Sequence, residues 1–260
     1  MSFTKVKKGV CAAKGFVANG LNCGLNSDKN KNDLALVYSE TQCQAAAVYT
    51  TNKVKGAPIQ VTKAHLEASG HTAKAVIANS KNANTCNADG VEKAQRMCEL
   101  AAAELSIDPN EVIVASTGVI GQVLPIEPIE SHIKELAKGL SADGNDKAVN
   151  AIMTTDTVPK QYAVKFMLGD CECTVGGMAK GSGMIHPNMA TTLNFITSDV
   201  AISSELIQKA LSEIVKVTYN CLSIDGDTST NDIVSIMANG LAGNTPITTE
   251  NDDYQTFKDA

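Results

Sequence analysis

Residues 180–197 read KGSGMIHPNMATTLNFIT, and this stretch carries more information than any other in the chain. A glycine-rich loop leads to Ala190 and Thr191, and an apolar run follows. A threonine hydroxyl is a weak nucleophile unless a base lies beside it, and cleavage just before the threonine would free its own α-amine for that role. Such an amine has a pKa of about 7.7–8, so part of it is neutral near pH 7. The stretch therefore predicts self-cleavage between Ala190 and Thr191, after which Thr191 acts as a covalent catalyst.

Two features of the preceding loop have more than one interpretation. His186 lies five residues before Thr191 and is either a general base or an ordinary loop residue. The glycines of residues 176–183 suggest a phosphate loop, but Ser182 stands where that pattern requires Lys. The remaining interpretations are a flexible turn or a sharp bend that presents the 190/191 bond for attack.

Composition limits the class of protein. The chain has 260 residues, of which 43% are apolar and only 4% aromatic, so we expect a core of Ala, Val, Ile, Leu and Met in one large domain or two modest ones. The net charge of −6 disfavours nucleic-acid and anionic-membrane partners. No apolar run reaches the ~20 residues that span a bilayer, and no secretory signal is visible. We therefore expect a cytoplasmic protein whose eight cysteines are mostly buried free thiols.

The periodicity of apolar residues predicts helices and strands without a regular βαβ repeat. The fold class is therefore α/β in the broad sense (mixed α+β) and not a dinucleotide-binding domain. Alternation and apolar runs predict strands, and three- and four-residue spacing predicts helices. The predicted strands are 45–51, 75–79, 112–116, 193–196 and 233–237, with two more across 162–175, and the predicted helices are 91–101, 128–140, 147–153 and 204–219. Residues 20–34 are predicted to be an exposed loop or hairpin.

Two further turns contain residues that could have a catalytic or metal-binding role. Residues 115–121 (ASTGVIG) end a strand and turn on glycine, which suits either an oxyanion hole or a plain strand-to-helix turn. Residues 225–232 (DGDTSTND) look like a calcium loop, but the glycine and glutamate positions of that pattern do not match. We expect a hydrogen-bonded turn near the active site there, and no metal.

Taken together, these segments resemble the glutamate N-acetyltransferase (ornithine acetyltransferase) family of arginine biosynthesis. The matching stretches cover nearly the whole chain in order and are 14–16, 33–36, 79–84, 116–121, 154–157, 176–191 and 223–232. The resemblance implies a layered α/β fold shared with self-cleaving aminopeptidases. It also implies cleavage into an α chain, residues 1–190, and a β chain that begins at residue 191 and continues here to 260.

The resemblance further implies an activity and a set of residues. Thr191 would take the acetyl group from N-acetylornithine and pass it to glutamate, with Thr117 and the Gly118 N–H as the oxyanion hole. Thr154 and Lys180 would contact substrate, together with Thr191 itself, with Thr157 as a neighbour. No cofactor is implied, although acetyl-CoA could be a second acetyl donor. The implied assembly has two α and two β chains.

This sequence also departs from the family pattern. Lys81, Thr192 and Ile233 stand where glycine, methionine and threonine are usual in the family. Family members continue past residue 260 through further substrate ligands, so we expect this chain to be C-terminally truncated. Two alternatives to acetyl transfer stay open: a self-processing aminopeptidase or amidase, and an inactive fragment that only associates with other subunits.

Overall fold

The computed structural model describes residues 2–184 and 192–260, and within them nine strands form one mixed sheet. The spatial order is β1-β6-β7-β8-β9-β3-β4-β5, and β2 also pairs with β3. Most neighbours are antiparallel, but β4 with β5 and β8 with β9 are parallel. The strands are β1 (Thr4–Lys5), β2 (Phe16–Leu21), β3 (Leu34–Tyr49), β4 (Thr72–Asn79), β5 (Val112–Ser116), β6 (Lys160–Leu168), β7 (Cys171–Lys180), β8 (Leu193–Ser198) and β9 (Ile233–Ala238).

Strand β3 joins the two halves of this sheet. Its first part pairs with β2 and β4, and its last part pairs with β9. The register with β4 shifts between Tyr38 and Cys43, and such irregularities bend and twist a strand. Side chains from both halves, such as Val37 and Val76 on one and Phe195 and Met237 on the other, meet in a single buried cluster. The two halves therefore enclose one core between them.

Helices cover the outer faces of the two halves. The helices are α1 (Ala57–Ala68), α2 (Gly90–Leu105), α3 (Glu127–Lys138), α4 (Asn145–Ile152), α5 (Ser204–Val217) and α6 (Asp252–Asp259). A second core holds side chains of α1, α2 and α3 against β4 and β5, and a third holds α5 and α6 against β9. Side chains on the two faces of β9 pack into different cores. Ile233 and Met237 face the central core, while Val234 and Ile236 face α5. Helix α4 contributes to the central core itself. The result is a layered α/β fold.

Most of the predicted elements are present. Strand β5 has the predicted bounds, and α2, α3, α4, α5, β4, β8 and β9 match within a few residues. The two strands predicted across 162–175 are β6 and β7, joined at Gly169. The Ser203 side chain accepts a hydrogen bond from the Leu206 N–H and caps α5 as expected.

The prediction was incomplete in several places, and β1 and α6 were among the elements it missed. Helix α1 was not predicted, because its buried residues include Ala57, Thr62 and His65 and so do not form a simple apolar stripe. The expected strand 45–51 is only the end of β3, which begins at Leu34 and pairs with the unpredicted β2. The expected loop at 20–34 is thus the connection of a β2–β3 hairpin.

Two further predictions concern the burial of the cysteines and the absence of a membrane-spanning helix. Five of the eight cysteines are buried, while Cys86 and Cys221 are exposed. In the described part of the chain, none of the helices has both the length and the apolar character needed to cross a bilayer.

Candidate active site

A buried ion and a hydroxyl meet at the ends of two strands. Lys180 is the last residue of β7, and Thr117 follows β5. The Lys180 Nζ donates a hydrogen bond to the Thr117 Oγ1 at 3.1 Å, and both residues are buried. Because this oxygen accepts from the ammonium, its own proton is left to point elsewhere. Thr117 is therefore oriented as a hydrogen-bond donor.

Gly118 supplies a backbone donor next to that hydroxyl. Its φ of +138° is a conformation that side chains disfavour, and a Cβ here would lie 2.1 Å from the carbonyl carbon of Lys81. Among the described residues, no acceptor receives a hydrogen bond from the Gly118 N–H, whereas the Val119 N–H is bound to the Lys81 carbonyl. An amide and an oriented hydroxyl side by side are the donors that an oxyanion hole uses.

Four of the residues proposed for the site line one cavity of about 460 Å³: Thr117, Gly118, Thr154 and Lys180. We call it the site cavity. Its remaining wall includes the apolar Val119 and Ile120 and the polar segment 229–231. Thr157 is exposed and does not line this cavity. Residues 225–232 lie beside the cavity as a hydrogen-bonded turn, as expected from the sequence.

Asp156 fixes two walls of the site cavity together. Its carboxylate accepts hydrogen bonds from the Thr154 N–H at 3.3 Å and the Gly181 N–H at 2.9 Å. Lys160 binds the same carboxylate at 2.6 Å. Burial alone would raise the pKa of Asp156, but these three donors outweigh it and lower the pKa. Asp156 therefore stays ionised and holds Thr154 at a set position relative to the end of β7.

Asn231 lines the site cavity and connects its own loop with the loop of Ala83 and Thr85 and with the end of β5. Its Nδ2 donates to the carbonyls of Ala83 and Ser116, and its Oδ1 accepts from the hydroxyls of Thr85 and Thr230. All four distances lie between 2.6 and 3.0 Å. A buried amide with every partner in place gives a rigid support, because breaking any one contact leaves an unpaired polar group. Asn231 thus fixes the strand end that precedes Thr117.

Asp232 fixes the chain where β8 begins. Its Oδ1 accepts a hydrogen bond from the Thr192 N–H at 2.9 Å, and the Ile233 N–H binds the Thr192 carbonyl at 3.1 Å. Burial raises the pKa of Asp232 to about 7, while the Thr192 N–H, the Ser229 hydroxyl and the charge of Lys180 oppose that rise. Both the N–H and the carbonyl of Thr192 therefore have a hydrogen-bond partner.

The electrostatics of Lys180 reflect its burial. Loss of water lowers the pKa of its ammonium, and the carboxylates of Asp156 and Asp232 act in the opposite direction. A cation in this position suits a ligand that carries a carboxylate or a developing oxyanion. In the described ranges, 2–184 and 192–260, no cluster of three His, Cys, Asp or Glu side chains is arranged to hold a metal ion.

Some of the predicted site residues are not described by the structure, and some residues of the site were not predicted. Ala190, Thr191 and His186 lie outside the described residues. Sequence reasoning assigned no individual role to Asp156, Asn231 or Asp232. The only available signal was that they occur in the quoted stretches 154–157 and 223–232.

Comparison with solved structures first defines the class of fold. A β-aminopeptidase from a Burkholderia species aligns with 99% of this chain and 84% of its own, with a TM-score of 0.57 and 11% identity. At that identity the likeness concerns the fold alone. It confirms that this layered α/β fold is shared with an aminopeptidase.

The chain belongs to the ArgJ family, whose model matches residues 17–260. It is 50% identical over 246 residues to the arginine biosynthesis bifunctional protein ArgJ 1 of Clostridium acetobutylicum, covering 94% of this chain and 60% of that protein. It is also similar to the crystal structure of an ornithine acetyltransferase complexed with ornithine from Mycobacterium tuberculosis. That match has a TM-score of 0.65 and 34% identity, and covers 74% of this chain and 100% of the solved chain. The chain spans about 60% of the length of its curated relatives.

Proposed function

We propose that this protein transfers the acetyl group of N2-acetyl-L-ornithine to L-glutamate in arginine biosynthesis. The observation that carries the proposal is the pair of donors at Thr117 and Gly118, with the buried Lys180 behind the hydroxyl. An acyl transfer needs such donors where negative charge develops on the carbonyl oxygen. The family and the ornithine-bound relative supply the substrate class.

The proposed chemistry has two steps through an ester on Thr191. The Thr191 hydroxyl attacks the acetyl carbon, its proton passes to the Thr191 α-amine, and ornithine leaves after receiving a proton at its amine. The amine of glutamate then attacks the ester, which releases N-acetylglutamate and restores the hydroxyl. Dividing the transfer in this way replaces one difficult step with two easier ones. The oxyanion of each step would be stabilised by Thr117 and Gly118.

Processing and assembly are part of the proposal. Scission between Ala190 and Thr191 would give an α chain that contains Thr117, Thr154 and Lys180 and a β chain that begins with the nucleophile. The hydrogen bonds that Asp232 and Ile233 make to Thr192 support a fixed position for the second residue of that chain. We further propose an α2β2 assembly in the cytoplasm, with no resident cofactor and with acetyl-CoA as a possible second acetyl donor.

A second candidate function is hydrolysis by a self-processing aminopeptidase or amidase. The fold shared with the Burkholderia aminopeptidase favours it. The two candidates differ in the acceptor of the acyl group, which is water for a hydrolase and glutamate for a transferase. An uncut chain without turnover corresponds to the third possibility, an associating fragment.

One experiment separates the three. The purified protein is sequenced from its N-termini and then incubated with N-acetylornithine, with and without glutamate. Acetyl transfer predicts a new terminus at Thr191 and N-acetylglutamate that forms only when glutamate is present. Acetate released equally in both incubations would support the hydrolase, and a single intact chain without product would contradict both enzymes. In the control variant Thr191→Ala, neither cleavage nor transfer is expected.

A further inference from the structure

A second cavity of about 400 Å³ lies next to the site cavity, and Lys81 and Thr154 line both. We call it the outer cavity. Its walls come from the β2–β3 connection, with Lys31, and from α4, with Asp146 and Lys147. The shared lining residues place it as an approach to Thr117 and Lys180.

Two ammonium groups in the lining of the outer cavity have no side-chain partner among the described residues. Asp156 is bound by Lys160, and Lys31 lies 3.9 Å from Asp28. Asp146 accepts from the neutral amides of Asn145 and Gln161 and keeps its charge. The two unpartnered ammonium groups are those of Lys81 and Lys147, both exposed, whose side chains form no hydrogen bond or ion pair with any other described residue. An unpaired ammonium at a cavity wall attracts a carboxylate.

Lys81 also has an unfavourable backbone conformation. Its φ is +76°, in the left-handed region where a residue with a Cβ is strained. The Lys81 backbone packs against Gly118 and accepts the Val119 N–H, so the loop holds Lys81 at the boundary of the two cavities. Strain of this kind persists where the surrounding structure enforces it, and it is concentrated at functional sites. A glycine would satisfy this backbone, but it would bring no charge to the boundary.

We propose that Lys81 is a specificity-determining residue whose ammonium binds a carboxylate of the amino-acid substrate as it occupies the outer cavity. The ligand class is an amino acid with a second carboxylate, since Lys180 already offers a cation deeper in the site cavity. The inference rests on the proposed function for its choice of ligand. It assigns Lys81 to binding and not to the chemical step.

The test compares equilibrium binding of L-glutamate and L-glutamine, which differ by one charge, using calorimetry without an acetyl donor. The variants are Lys81→Met, which keeps the length and backbone strain, Lys81→Gly, which relieves the strain, and Lys81→Arg, which keeps the charge. Lys134→Met is the control, because that lysine is exposed on α3 and lines neither cavity.

We expect both uncharged variants to bind glutamate about three- to tenfold more weakly, with glutamine binding unchanged. Lys81→Arg and the control should bind glutamate like the wild type, and added salt should reduce the wild-type preference. In turnover, the KM for glutamate should rise while kcat stays the same. Equal glutamate affinity in the wild type and Lys81→Met, or no preference for glutamate over glutamine in the wild type, would overturn the proposal. Binding needs no acetyl transfer, so a charge-dependent preference without turnover would contradict the proposed reaction and leave the role of Lys81 in place.

Discussion

Lys180 and Thr117 are separated by 63 positions in sequence, yet the ammonium of one donates to the hydroxyl of the other at 3.1 Å. Lys180 ends β7 and Thr117 directly follows β5, and these two strands belong to different halves of the sheet. The contact exists only because the two halves close over a common core. It leaves a hydroxyl proton and the Gly118 N–H side by side at the wall of the site cavity.

Removing the charge of Lys180 should impair the reaction more than the fold. In Lys180→Met we expect the hydroxyl of Thr117 to lose its orientation, and acetyl transfer to fall by about 10²-fold or more, as when an oxyanion-hole donor is lost. The free energy of unfolding should change by less than about 2 kcal/mol, because the variant also removes a buried charge. Steady-state transfer rates and urea unfolding measure the two effects. Lys165→Met, which only breaks the exposed pair with Glu172, should leave the transfer rate unchanged.

Adding a methyl group at Gly118 should disturb both the proposed oxyanion hole and the stability of the fold. The new Cβ would collide with the backbone of Lys81, and φ is +138°. We expect Gly118→Ala to lose at least about 1–3 kcal/mol of stability, and its transfer rate to fall about 10²–10³-fold. Gly121→Ala is a matched control, since its φ is +79° but no atom lies within 4 Å of the added Cβ. Similar losses in the two variants, by calorimetric melting and turnover, would contradict a special role for the close approach at Gly118.

Truncating Asn231 should destabilise the protein through unpaired polar groups. In Asn231→Ala two carbonyls and two hydroxyls lose a partner in a buried place. We expect a loss of about 2–4 kcal/mol in the free energy of unfolding, measured with urea. The control Asn150→Ala removes one exposed hydrogen bond to the Asp146 carbonyl and should cost less than about 1 kcal/mol. An effect as small as the control's would show that water replaces the lost contacts.

Asp232 should make stability fall as pH rises. Its folded pKa of about 7 lies above the ordinary value of 3.8, so the folded protein binds this proton more tightly than the unfolded chain does. The stability that this proton contributes is therefore fully present below about pH 4 and is lost as pH rises to about 7. Over that range the free energy of unfolding should fall by up to about 1.4 kcal/mol per pH unit. In Asp232→Asn, which keeps an oxygen acceptor for the Thr192 N–H, that decline should disappear.

Urea unfolding at pH 5 and pH 8 measures this difference. The control Asp143→Asn removes an exposed carboxylate paired with Lys8 and should keep the wild-type pH dependence. An unchanged slope in Asp232→Asn would mean that Asp232 is already ionised in the folded protein at pH 5.

The sequence by itself determined the elements whose pattern is local. Helices α2, α3 and α5 each bury one stripe, and β4, β5 and β9 are short apolar runs between turns, so neighbouring residues report which side is buried. The self-cleavage prediction at Ala190–Thr191 rests on connectivity alone, because the freed amine belongs to the residue that carries the hydroxyl. The family resemblance also brought together Thr117, Gly118, Thr154 and Lys180, which line one cavity.

Only the tertiary structure decided how those pieces meet. The register shift of β3 between Tyr38 and Cys43, and the polar Thr62 and His65 within the buried stripe of α1, leave no regular apolar period in the sequence. The contacts of Asp156 with Gly181 and of Asp232 with Thr192 join residues 25 and 40 positions apart. Such contacts depend on which strands become neighbours, and that order is fixed by packing across the whole sheet, where no local pattern records it.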